Sequence, residues 1–187
     1  MGRDYEARRL ISERSSAYND TQLSQILVRT FDLMCNSQEP DGCMSTSVAL
    51  QVILRSIGYA PKLCYGLCIT PECHEIYHAW LEMDKTVLDL AIYGNSHFSP
   101  YWMDSKVLLP VVFESYQNTA VQYHDHVFDE DWSKSMISKA VQMGSAFEYI
   151  RRSPGNGMWK LVFRILDQVC TPESIEAMTD FVSKEPL

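Results

Sequence analysis

Asp41-Gly42-Cys43-Met44-Ser45-Thr46-Ser47-Val48-Ala49-Leu50-Gln51-Val52-Ile53-Leu54-Arg55-Ser56-Ile57-Gly58 is the stretch on which the fold turns. Met44, Val48, Ala49, Leu50, Val52, Ile53, Leu54 and Ile57 predict a helix over roughly 43–57, with a polar stripe only through Ser47, Gln51 and Arg55. A helix apolar on nearly every side belongs in the middle of a domain. Gly58 suits the left-handed residue that closes a helix, and Pro61 prevents a restart. Cys43 therefore stands at a helix N-terminus, where the partial positive charge of the helix and a neighbouring imidazolium favour the thiolate.

The chain after this helix alternates as strands do. Strands are expected over 62–69, 76–83 and 86–91, with Thr70-Pro71-Glu72-Cys73-His74-Glu75 as a connecting loop and Asp84-Lys85 as a two-residue hairpin turn. That turn sets the pairing: Met83 faces Thr86, Leu81 faces Leu88, Trp80 faces Asp89 and His78 faces Ala91. His78 and Asp89 then share one face of the sheet as diagonal neighbours, about 7–8 Å apart at the backbone, a gap a carboxylate and an imidazole can close. Asp84, six residues from His78, is about 20 Å away along the strand and out of range. A thiol, a base and an acid in this order fit nucleophilic acyl chemistry, with Cys43 as nucleophile, His78 as base and acid, and Asp89 as its orienter. The Cys43 backbone N–H supplies one oxyanion donor, and no second donor is identifiable. Each residue taken singly also has a structural reading: a buried small thiol, a satisfied strand histidine, and an acid capping a strand end.

The helix Cys43 to Pro61, the strand ending in Gly66, His78-Ala79-Trp80-Leu81-Glu82-Met83-Asp84 and Val87-Leu88-Asp89 together resemble the transglutaminase-like superfamily. That resemblance implies an α+β, papain-like core: a central cysteine helix packed on an antiparallel sheet that carries His and Asp on successive strands. Within the superfamily, Ala49-Leu50, Leu54-Arg55 and the His-Ala-Trp-x-Glu-x-Asp run look like the leader-peptide proteases of lasso peptide biosynthesis. The implied activity is that of a cysteine hydrolase or acyltransferase on amide bonds, with hydrolysis favoured and a peptide or protein as substrate. The alternative is an inactive member that binds a peptide or partner protein.

With 187 residues, 46% hydrophobic and 21% charged, the chain reads as one globular domain over 1–187: a core over 21–115 and a helical extension over 132–187. Leu23, Ile26, Leu27, Thr30, Phe31 and Met34 predict an amphipathic N-terminal helix over 21–35, broken by 36–40. Leu108 to Phe113 reads as one more strand. Helices over 132–152, 158–169 and beyond Thr171-Pro172 complete the expectation, and these C-terminal helices offer a docking face for a partner protein.

The formal net charge of −8 argues against a sequence-independent grip on nucleic acid. No signal-peptide h-region and no membrane-length apolar run is seen, so a cytoplasmic location is expected, with the six cysteines reduced. Neither a cofactor nor a metal is expected. Cys64 and Cys68 share a strand face about 13 Å apart, too far for one zinc ion. His124-Asp125-His126 with Asp129, Glu130 and Asp131 lacks the spacing of a calcium loop and reads as a solvated acidic connector. The aromatic run Tyr93 to Trp102 either walls the cleft or packs as a surface loop, and His97 within it is the rival base.

Overall fold

A computed structural model describes residues 2–37, 42–98, 107–125, 162 and 165. Among these it contains helices α1 (Arg3–Ser15), α2 (Thr21–Ser37), α3 (Cys43–Ser56) and α4 (Ala91–Phe98), and strands β1 (Lys62–Ile69), β2 (Glu75–Met83), β3 (Thr86–Asp89), β4 (Val111–Ser115) and β5 (Gln122–Asp125). The strands form one antiparallel sheet in the order β4-β3-β2-β1-β5. The chain is thus mixed helix and antiparallel sheet, an α+β fold.

The sheet separates two apolar clusters. On one face Leu81, Leu88 and Val112 pack with α2 and α3 through Leu23, Leu27, Phe31, Ala49 and Ile53, and Val162 and Ile165 join them. On the other, Trp80 and Val87 pack with Cys64, Cys68, Ile92, Val111 and Val121. Alternation along β2 and β3 produces this split, because neighbouring residues of a strand point to opposite faces. The six apolar-face residues expected on α2, Leu23 through Met34, are all buried, and the helix runs two residues further than expected, to Ser37. α1 carries no strong periodicity. It is mostly polar and buries only Ala7, Ile11 and Ser15, a four-residue spacing that makes a narrow stripe.

α3 closes as its sequence requires. Gly58 takes φ +94°, the Gly58 N–H reaches the Arg55 carbonyl at 3.1 Å and the Tyr59 N–H reaches that of Leu54 at 3.0 Å, which satisfies two of the last carbonyls. Its polar stripe is largely not a solvent face. Ser47 and Gln51 are buried, donating to the Ala79 carbonyl at 3.0 Å and the Pro61 carbonyl at 3.2 Å, and Arg55 is half-buried.

The β2–β3 hairpin has the expected register, Met83 with Thr86 and Leu81 with Leu88, and Asp84 and Lys85 both take positive φ, as a tight two-residue turn demands. The ladder stops there. β3 ends at Asp89 rather than at 91, and Ala91 opens α4 instead of facing His78 across the sheet. The reason is local: the Asp89 carboxylate accepts the Ile92 N–H at 3.0 Å, capping the first turn of α4. β4 likewise starts at Val111 rather than 108, after Pro110, which has no N–H to give to a ladder. Residues 122–125 form edge strand β5 against β1, so His124 and Asp125 belong to the sheet and not to the expected acidic connector, and Lys62 and Asp125 pair at 2.8 Å. The helices expected over 132–187, apart from Val162 and Ile165, lie outside the described residues, as does the docking face read from them.

β5 approaches β1 closely because residue 66 has no side chain. A Cβ built on Gly66 would stand 2.0 Å from the His124 carbonyl oxygen, a backbone atom that cannot step aside alone. Gly66→Ala is expected to displace β5 and cost about 1–3 kcal/mol, a fall of roughly 5 °C in Tm. Thermal unfolding checks this, and an unchanged midpoint would refute the close approach.

Candidate active site

α3 docks on β2 where β3 has left it. Past Leu81 the edge of β2 has no β3 partner, and the backbone groups of Ala79 are taken up by α3. Ser47 donates its hydroxyl to the Ala79 oxygen at 3.0 Å, while the Ala79 N–H donates to the Cys43 sulfur. A strand residue turns its N–H and C=O to the same edge, so one residue of β2 holds α3 at two points a helical turn apart. This sets Cys43, the first residue of α3, beside His78. Gly42, before it, provides no side-chain cap, and the first N–H bonded within the helix is that of Thr46, to Gly42 O at 2.8 Å. The N–H groups of Cys43, Met44 and Ser45 precede that bond and point out of the helix end.

His78 is buried and held on both edges. Its Nε2 lies 2.8 Å from Asp89 Oδ2, and its Nδ1 lies 3.1 Å from the Asn95 side-chain nitrogen. Asp89, 1% exposed, accepts three hydrogen bonds: the His78 bond and that of the Tyr123 hydroxyl at 2.9 Å on Oδ2, and the Ile92 N–H on Oδ1. A carboxyl group surrounded by donors in this way acts as an acceptor, which keeps a proton on Nε2 and makes Nδ1, on the side of Cys43 and Asn95, the nitrogen that carries the lone pair in the neutral ring and an N–H in the imidazolium. The Trp80 ring lies against Tyr123 with centroids 4.9 Å apart, and Tyr116 accepts the Trp80 indole N–H at 3.2 Å while donating to Glu82 at 2.8 Å.

The charges follow this geometry. Burial pushes the Cys43 thiol up, but the charge of His78, its hydrogen bond and the Ala79 N–H outweigh it, and the thiol lies below its ordinary value. Burial likewise pushes His78 down, and Asp89 and the Cys43 thiolate reverse this and raise it above the ordinary range of histidine. The other buried thiols behave in the opposite way: burial drives Cys64 up to about 11 and Cys68 higher still. Of Cys35, Cys43, Cys64 and Cys68, Cys43 is the one pulled toward the thiolate.

The structure therefore brings Cys43, His78 and Asp89 together. The remaining candidates are elsewhere: Cys64 and Cys68 are in the second apolar cluster, Cys73 is exposed, and His97 is exposed against the Tyr93 ring at 5.5 Å. Tyr93 itself is fully buried in α4, so the first part of the aromatic run is packed helix; 99–102 fall outside the described residues. Among the described residues no group of three or more His, Cys, Asp or Glu is arranged to hold a metal, and no helix is long and apolar enough to cross a membrane. Asn95 and Tyr123 have no counterpart in the sequence reading. Asp89 as a helix cap, three residues before Ile92, is the signal that could have led to Asn95, one turn into α4.

The family model described as the transglutaminase-like superfamily matches residues 2–103, which include every element from α1 to α4 and all three of the residues brought together here. The match is to the superfamily and does not select the leader-peptide protease branch. Neither a curated protein nor a solved structure matches the chain.

Proposed function

Because this chain belongs to the transglutaminase-like superfamily, a group of cysteine-based hydrolases and acyltransferases, we propose that it attacks an amide carbonyl with the Cys43 thiolate and passes through an acyl-enzyme. The observation that carries this is the joint placement of a cysteine at the start of α3 and a histidine whose far nitrogen is bonded to a buried carboxylate at 2.8 Å. In the first half-reaction the sulfur forms a C–S bond, the C–N bond breaks, and the His78 proton goes to the departing amine. In the second, His78 takes a proton from water as the water oxygen forms a C–O bond to the acyl carbon, the C–S bond breaks with its electron pair returning to the Cys43 thiolate, and a carboxylic acid is released. The Cys43 N–H and the helix end it belongs to favour negative charge on the carbonyl oxygen. Hydrolysis of a peptide or side-chain amide is preferred over transfer to an amine, since the sequence offers no recognisable amine-binding site.

The test is the rate of Cys43 carboxamidomethylation by iodoacetamide against pH. A thiol held low by His78 reacts well below pH 8 and loses that reactivity in His78→Ala. Slow labelling that ignores His78 would instead support the binding-module reading, in which the fold is kept and the cleft is inert.

A further inference from the structure

We propose that Asn95 is a positioning residue acting through His78: its amide N–H, held on Nδ1, favours the neutral imidazole and so makes the ring ready to surrender its proton to a leaving group. This rests on the reading of Cys43 and His78 as nucleophile and base. The geometry is specific. Asp89 already accepts from Ile92 and Tyr123, so its bond to His78 requires a proton on Nε2, and the nitrogen that faces Asn95 at 3.1 Å is the one that bears the lone pair whenever the ring is neutral. A donor on that lone pair is satisfied by the neutral ring and is left facing another N–H when the ring is protonated. Asn95 is buried in α4, whose first turn Asp89 caps, so the same carboxylate that holds Nε2 also fixes the helix that brings a donor to Nδ1.

The need for such a group follows from the rest of the site. From α3 the Cys43 thiolate faces His78, from the end of β3 Asp89 faces it, and behind Asp89 stand Tyr123 of β5 and Cys68 of β1. Both groups in direct contact are anionic in the ion-paired state, and both bind the proton more tightly to the ring. A base that holds its proton too tightly is a poor acid in the step that expels the amine, because proton transfer is fastest when the proton affinity of the ring matches the working pH. Burial of the ring opposes them, and Asn95 is the group in contact with His78 that pulls in the same direction as burial.

Ring titration of His78, followed by NMR of protein labelled with 15N histidine, tests this in the full chain. Cys43→Ser removes the thiolate, so the midpoint then reports Asp89 and Asn95 without it. Adding Asn95→Leu, close in shape and without a donor, is expected to raise the midpoint by about one pH unit, the size of one net hydrogen bond to the neutral form. Asn95→Ser retains a donor in a smaller side chain, covers the case in which the leucine does not fold, and is expected to raise it by less. An unchanged or lowered midpoint in a folded Asn95 variant overturns the proposal. That failure is separate from failure of the nucleophile reading, which shows in the iodoacetamide profile of the unmodified Cys43 and leaves the His78 titration intact.

Discussion

Asp89→Asn is expected to keep the fold and lose about a hundredfold to a thousandfold in Cys43 alkylation at pH 6.5. The carboxylate accepts on both oxygens, from Ile92 on Oδ1 and from His78 and Tyr123 on Oδ2. An asparagine that keeps its oxygen on the Ile92 N–H preserves the cap of α4 and must turn its NH2 toward His78. The ring then has to accept at Nε2, which moves its proton to Nδ1 and takes away the lone pair that faces Cys43. Asp89→Ala removes the cap as well and leaves a buried imidazole without its counter-charge, at a cost of about 3–5 kcal/mol in denaturant unfolding. The pair of variants thus separates chemistry from stability. If Asp89→Asn labels at the wild-type rate, Asp89 only caps α4 and does not orient the ring.

The double duty of Asp89 also shows what could be read from the chain alone. Local signals sufficed for β1, bounded by Pro61 and Pro71, for the Asp84-Lys85 turn and its register, and for the amphipathic face of α2, because each depends on residues a few positions apart. The proximity of His78 and Asp89 followed from that register even though the pairing of His78 with Ala91 was mistaken. Leu90-Ala91 reads as the end of a strand by composition, and a single capping bond from Asp89 decides that a helix starts at Ala91. β5 is less accessible still. Its four residues pair with a strand more than fifty positions earlier, and a contact of that separation leaves no periodic mark on a segment so short. Asn95 and Tyr123 sit on these two elements, so the partner of the histidine was hidden with the helix and the partner of its acid with the edge strand. Ser47 and Gln51 illustrate the reverse error: a polar stripe looks like a solvent face until the unpaired carbonyls of a neighbouring strand and loop are seen to need donors.

A loss of stability as large as that of Asp89→Ala is expected from Trp80→Ala. Trp80 is 0% exposed, centres the cluster of Cys64, Cys68, Val87, Ile92, Val111 and Val121, and occupies β2 two residues beyond His78. Emptying a space of that size costs about 3–5 kcal/mol, since a packed interior closes only part of the cavity. The loss would also reach the site. The Trp80 ring supports Tyr123, whose hydroxyl bonds Asp89, while its indole N–H is tied through the Tyr116 hydroxyl to Glu82. Trp80→Phe retains an aromatic ring against Tyr123 and gives up the indole hydrogen bond, for an expected cost of about 1–2 kcal/mol, with the hydroxyl of Tyr116 still engaged by Glu82. Denaturant unfolding should therefore order the proteins as wild type, Trp80→Phe and Trp80→Ala. Cys43 alkylation by folded Trp80→Phe should stay within about threefold of wild type, because the ring that braces Tyr123 is kept. Equal stability of the alanine and phenylalanine variants would mean that the indole fills no essential volume, and that Tyr123 is held on Asp89 by its own hydrogen bond alone.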